Sequence, residues 1–166
     1  MVAETVTDTD HIPDDLRRAL QEVKDPEIPA ISVLELGIIN RVESEKGRVR
    51  VEITPTFVGC PALDLIGEAV KKRLCRVDGV KEVEVSFVMD PPWTSDRMTP
   101  EGRRKLKEFG IAPPVEEGAG FGVHVPECPY CGAEEGEVHN LFGPTACRSI
   151  FYCKRCHQPF EGMKPV

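Results

Sequence analysis

Two Cys-x-x-Cys pairs lie near the end of this chain, Cys128-Pro-Tyr-Cys131 and Cys153-Lys-Arg-Cys156, with 21 residues between them. No other feature limits the fold as strongly. The final stretch, residues 123–166, has 44 residues, close to the ~40-residue size below which a domain usually needs a metal or crosslinks to hold together. Each tight pair turns two thiolates toward one ion, and two such pairs complete a tetrahedral shell of four thiolates. The expectation is one structural zinc per chain on Cys128, Cys131, Cys153 and Cys156, in a ribbon that docks instead of catalysing. A [2Fe–2S] centre on the same thiolates is the minority alternative. A redox dithiol reading lacks the βαβ context it needs, and His139 and His157, beside a complete four-cysteine set, read as bystanders.

The compartment follows from the cysteines and the N-terminus. Seven cysteines, an odd count, and no apolar h-region in Met1 to Asp15 point to a reducing cytoplasm, where thiols serve as ligands and not as a disulfide framework. The longest apolar stretch, Phe57 to Ile66, is broken by Asp64 and is too short to span a bilayer. Lys plus Arg number 21 against 28 Asp plus Glu, a net charge of −7, which argues against nonspecific binding to nucleic acid or to an anionic membrane. The excess is local. Glu108, Glu116, Glu117, Glu127, Glu134, Glu135 and Glu137 fall in a stretch from Glu108 to Cys147 that holds no Lys or Arg, so a basic protein client is the expected partner there.

Ahead of the ribbon, the hydrophobic pattern alternates between helix and strand periods. Leu16, Ala19, Leu20 and Val23 predict a short helix behind Pro13, stopped by Asp25-Pro26-Glu27-Ile28-Pro29. A hairpin follows, with Gly37 to Glu43 as one strand, Glu45-Lys46-Gly47 as the turn, and Arg48 to Pro55 as the other. A helix from about Pro61 with Leu63, Ile66, Val70 and Leu74 on one face leads to a third strand at Val83, Val85 and Phe87. Thr99-Pro100-Glu101 then starts a helix that ends at Gly110. The expected fold is α+β: a small compact domain with a three-stranded sheet and flanking helices over 12–112, a linker over 113–122, and a four-cysteine zinc ribbon over 123–166.

Further positions carry chemistry. Cys60 sits in the turn between a strand and a helix, at the positive end of the helix dipole, where a thiol of ordinary pKa ~8.5 is lowered toward the physiological range and can hold metal or accept a cluster. A small buried filler is an equal reading of the same position. Cys147, a surplus fifth thiol in the tail, is either core or faces the first domain and joins Cys60. Asp25 and Glu27 offer oxygen ligands, or simply a turn between prolines. Trp93, the sole tryptophan, follows two prolines and reads as a partner contact or, more commonly, as a lid on the small sheet. Nothing builds a hydrolytic triad, a Walker loop or a dinucleotide fingerprint, so no enzyme activity is expected.

Several of these segments together resemble a known family. Asp25-Pro26-Glu27-Ile28-Pro29, Leu36-Gly37-Ile38-Ile39, Thr54-Pro55-Thr56-Phe57-Val58-Gly59-Cys60-Pro61 and Pro91-Pro92-Trp93 are similar to the MIP/SufT-type domain of iron–sulfur assembly proteins over about 12–112. The continuation Met98-Thr99-Pro100-Glu101-Gly102-Arg103, Phe109-Gly110-Ile111-Ala112-Pro113-Pro114 and Phe142-Gly143-Pro144-Thr145-Ala146-Cys147 resembles the PaaD-like family of aerobic phenylacetate degradation. The resemblance implies an accessory factor of the phenylacetyl-CoA epoxygenase that does not perform the epoxidation but matures or maintains metal centres, above all the cluster of the iron–sulfur/flavin reductase. It implies Cys60 as the cluster-handling cysteine, with iron or a cluster passing transiently, and Cys128, Cys131, Cys153 and Cys156 as ribbon ligands. Glu35 stands where many relatives have Asp before Leu-Gly. A stably bound structural or regulatory subunit of the oxygenase is the alternative.

Overall fold

The computed structural model describes residues 11–115 and 124–166 and is α+β, with three helices and two sheets. Residues 1–10 and most of the expected linker, residues 116–122, lie outside the described residues. The chain divides into two compact units, Met1–Trp93 and Thr94–Val166.

In the first unit, α1 (Asp14–Glu22) buries Leu16, Ala19 and Leu20, and Asp14 and Asp15 occupy its first turn, where their charge suits the helix dipole. Pro13 is the capping residue just ahead of it. β1 (Ile39–Glu45) and β2 (Arg48–Ile53) form the hairpin, joined at Lys46 and Gly47 with φ of 50° and 85°. Two consecutive positive φ angles make the type I′ turn that matches strand twist, so the strands reach the turn on both sides. Val49, Val51 and Ile53 are fully buried while Arg48 and Arg50 face outward, as the alternation requires. α2 (Leu63–Leu74) crosses over to β3 (Glu82–Phe87), which pairs parallel with β2, giving the order β1-β2-β3. A parallel neighbour needs such a crossover, because a tight turn can only reverse the chain.

The second unit starts earlier than the composition suggests. α3 (Pro100–Phe109) is capped by the Thr99 hydroxyl, which accepts from Gly102 N–H at 3.0 Å, and it ends at Gly110 with φ 93°. β4 (Ile111–Ala112) then joins the ribbon sheet beside β7 (Pro159–Met163), with β6 (Arg148–Cys153) and β5 (Gly136–Asn140) beyond, in the order β4-β7-β6-β5. By compactness the units divide after Trp93, and two residues of parallel pairing with Glu161 and Gly162 tie β4 to the ribbon sheet. Arg103 further holds the start of the expected linker, donating to Pro114 O at 2.7 Å. Among the described residues no helix is long and apolar enough to cross a membrane.

Candidate metal centre and the Cys60 turn

The ribbon core is small and partly made of its own ligands: Cys128 and Cys153 are fully buried with Ala112, Ala133, Phe151 and Phe160, and Cys131 and Cys156 pack against them. The Phe151 and Phe160 rings stack at 5.5 Å between centroids. So little apolar mass cannot close a domain alone. The four sulfurs lie within 4.8 Å of one another. Cys128 Sγ is 3.7 Å from Cys156 Sγ, and Cys131 Sγ is 3.6 Å from Cys153 Sγ. A tetrahedral ion with metal–sulfur bonds of ~2.3 Å sets its sulfurs ~3.8 Å apart, whereas a disulfide brings them to ~2.05 Å. The donor set therefore fits a closed tetrahedral site.

Both loops that present the sulfurs have one geometry. In the first, Cys128 N–H donates to Ala133 O at 2.9 Å and Gly132 N–H to Cys128 O at 2.9 Å; in the second, Cys153 N–H donates to Gln158 O at 3.0 Å and His157 N–H to Cys153 O at 3.0 Å. The fourth residue after the leading cysteine must take positive φ, and it does: 72° at Gly132 and 58° at His157. His157 is thus a glycine position occupied by histidine. Its ring lies 3.4 Å from Tyr152 Oη, and neither it nor His139 joins a ligand group among the described residues.

The thiols differ in acidity. Backbone N–H groups of Cys156 and Arg155 lower Cys153 to about 7, while burial pushes Cys156 up to about 12 and also raises Cys128. The N–H groups that stabilise a lone thiolate at Cys153 also point at sulfur when all four are ionised around a cation. Metal entry then supplies the positive charge that lets the other thiols ionise.

Within the first unit, Cys60, Asp25 and Glu27 form no cluster of three prospective ligands among the described residues. Cys60 is half-buried on the turn between β2 and α2 and in no disulfide. The helix begins at Leu63 with Ala62 as its cap, so Cys60 stands two residues ahead of the cap, where its carbonyl accepts from Leu63 N–H at 3.4 Å. Pro61 belongs to that turn and not to the helix. Phe57 and Val58 stand exposed on the same turn, at 44% and 73%. Cys147 belongs to the other unit, half-buried, with its sulfur 3.2 Å from Thr145 Oγ1. Cys75 is exposed at the end of α2.

Asp25 is a turn residue: its Oδ1 accepts from Glu27 N–H at 2.8 Å and Ile28 N–H at 3.0 Å. Glu27, beside it, is half-buried. Trp93 corrects the partner-contact reading, since it is 2% exposed and donates Nε1–H to Leu36 O at 3.0 Å. A side chain with no free face cannot fill a partner's pocket. The turn it closes on holds a motif that the hydrophobic pattern passes over, Ser32-Val33-Leu34-Glu35. Ser32 N–H donates to Glu35 Oε2 at 2.8 Å and Glu35 N–H to Ser32 Oγ at 3.2 Å, a reciprocal capping box.

Two family models match separate parts of the chain. Residues 112–164 fit the family model described as the PaaD zinc beta ribbon domain, and residues 13–87 fit that of the iron–sulfur cluster assembly protein. A protein of Escherichia coli, named for a place in 1,2-phenylacetyl-CoA epoxidase as one of its subunits, is 34% identical over 150 residues, covering 89% of each chain. The chain belongs to the PaaD family. Its first unit is shared more widely: the Fe-S protein maturation auxiliary factor YitW of Bacillus subtilis is 39% identical over 82 residues, 49% of this chain and 79% of that one. A solved structure from Bacillus anthracis, a domain of unknown function DUF59, covers 55% of this chain and 87% of its own at 34% identity and a TM-score of 0.51. The chain thus joins a stretch that fits an iron–sulfur cluster assembly family to a stretch that fits a zinc beta ribbon, and the four cysteines that cluster lie within the ribbon match.

Proposed function

We propose that this chain is a noncatalytic maturation factor for the phenylacetyl-CoA epoxygenase system, serving the cluster of its iron–sulfur reductase in the cytoplasm. The observation that carries this reading is the pairing of an assembly domain over 13–87 with a PaaD ribbon over 112–164 in one chain. The two cysteine environments suit different tasks. Cys128, Cys131, Cys153 and Cys156 hold one structural zinc, which supplies a fixed tetrahedral crosslink and has no open position for chemistry. Cys60 lies outside that closed set, on a turn flanked by exposed apolar side chains, and takes iron or a cluster transiently as cargo. Ribbon and client recognition go together, and nucleic acid and membrane are not partners.

The test is Cys60→Ser. Folding and zinc content should stay at the unsubstituted level while cluster occupancy of the co-expressed reductase falls several-fold. Full loading of the reductase by the variant sinks the role of Cys60. The name of the E. coli relative favours one competing reading, a permanent member of the oxygenase complex. Co-purification with the catalytic subunits at fixed stoichiometry supports that reading; dissociation on dilution supports the maturation factor.

A further inference from the structure

We propose that β3 pairs antiparallel with β3 of a second copy of this chain, in a two-fold register centred on Val85, joining two sheets into one. β3 is an edge: the sheet order is β1-β2-β3, and among the described residues no strand covers its outer side. Two hydrogen bonds fix which backbone groups are free. Glu82 N–H donates to Gly47 O and Val88 N–H to Ile53 O. A parallel ladder alternates, so the even residues from Glu82 to Val88 bond β2, and the N–H and C=O of Val83, Val85 and Phe87 point away from it. Unpaired groups in a row are a template for another strand.

The side chains select both the partner and the register. The face toward α2 carries Val83, Val85 and Phe87; the opposite face carries Glu82, Glu84 and Ser86, all exposed. With Val85 opposite Val85, Val83 meets Phe87 on the apolar face, and Glu84 meets Ser86 and Glu82 meets Val88 on the other. No like charges oppose. Shifting the pairing one step sets Glu84 against Glu84, two steps sets Glu82 against Glu84, and a shift the other way sets Glu82 against Asp90; like charges directly opposite are destabilising. A strand that fits itself in one register is what an isologous two-fold contact requires. The solvent-side glutamates are already balanced within each copy, Glu82 by Arg48 at 2.8 Å and Glu84 by Arg50 at 3.3 Å. Beside the edge, α2 and β3 frame a groove of about 620 Å³ that includes Gly67, Lys71 and Phe87. Phe87 and Met89 stay 38% and 48% exposed there, apolar area that the second copy covers.

Six residues of edge make a small contact, so the dimer is weak and depends on concentration. Sedimentation velocity on the zinc-loaded 166-residue chain from about 1 to about 500 µM should show mass rising from monomer toward dimer. Amide exchange at Val83, Val85 and Phe87 should slow over the same range, while exchange at Glu84 and Ser86 stays constant. Val85→Pro removes an N–H that β2 does not use, which an edge strand tolerates, and should raise the dissociation constant at least ~tenfold. If that variant melts lower than the parent, the exchange measurement on the parent decides. A monomer at every concentration, including one that pairs only with a client strand, overturns the proposal. So does a Val85→Pro dimer as tight as the parent's, or exchange at the three odd amides that ignores concentration.

Discussion

At His157 a histidine beside a metal ligand looks like a ligand, yet its backbone explains its position better. The two cysteine loops share their hydrogen bonds residue for residue, and the position that is Gly132 in one is His157 in the other, both at positive φ. A side chain there is strained by roughly 1–2 kcal/mol, partly offset by the freedom a glycine loses on folding. His157→Gly should therefore keep full zinc occupancy and leave the melting temperature equal or a few degrees higher. Loss of zinc on that substitution, read by elemental analysis after dialysis, shows the ring to be needed at the site. The Cys-x-x-Cys spacing announces the ligands because their chemistry is local. The strain at His157 is not legible there, since no residue type marks it until the loop's hydrogen bonds are seen. Trp93 is similar: Pro-Pro-Trp in a loop says nothing of Leu36 O, 57 positions away in sequence, to which it donates.

Elements with their own signals are legible in the sequence, and those defined by a partner are not. The hairpin follows from alternation, and the start and stop of α3 follow from Thr99, Pro100 and Gly110. β1 runs on to Glu45, past the expected end at Glu43, because a two-residue loop suffices once Lys46 and Gly47 accept positive φ. β4 has only Ile111 and Ala112, too short for any periodicity, and exists because β7 lies alongside. That strand moves α3 into the second unit. Thr99→Ala should cost about 1 kcal/mol by freeing Gly102 N–H. For a unit of this size that is a fall of roughly 4–8 °C in its melting temperature, read by the exchange of α3 and ribbon amides. Gly110→Ala should cost at least as much, since φ is 93° and the added carbon meets Tyr130 Oη at 3.3 Å. If both variants lower instead the stability of the first unit alone, α3 belongs there.

Over the whole molecule, the charge pattern changes meaning once paired. Of the acids in the stretch without Lys or Arg, Glu116 and Glu117 lie outside the described residues, while Glu108 pairs with Arg104, Glu127 with Lys107 at 2.9 Å and Glu137 with Lys154 at 3.3 Å. Bases from outside the stretch thus pair three of its five described acids, and the acidic surface that stays on show narrows to Glu134 and Glu135, both exposed. A closed zinc–tetrathiolate site would add −4 + 2 = −2 to the −7 of the sequence, the ion already offsetting half of the thiolate charge. The two units should then respond differently to chelation. In the second, the core shares Cys128 and Cys153 with the metal site, so removing the ion leaves buried thiols that must protonate and a cluster too small to stand. The first unit closes on Leu20, Ile31, Ile38, Ile53, Val70 and Leu74 and contains no such dependence. Trp93, the sole tryptophan, is buried and donates to Leu36 O within that first unit, so its emission reports on that unit. A strong zinc chelator should abolish protection of the β5–β7 amides while Trp93 emission stays blue-shifted and its thermal transition stays cooperative. If Trp93 emission shifts to the red as zinc leaves, the assembly domain depends on the ribbon's metal, and the two units fold as one.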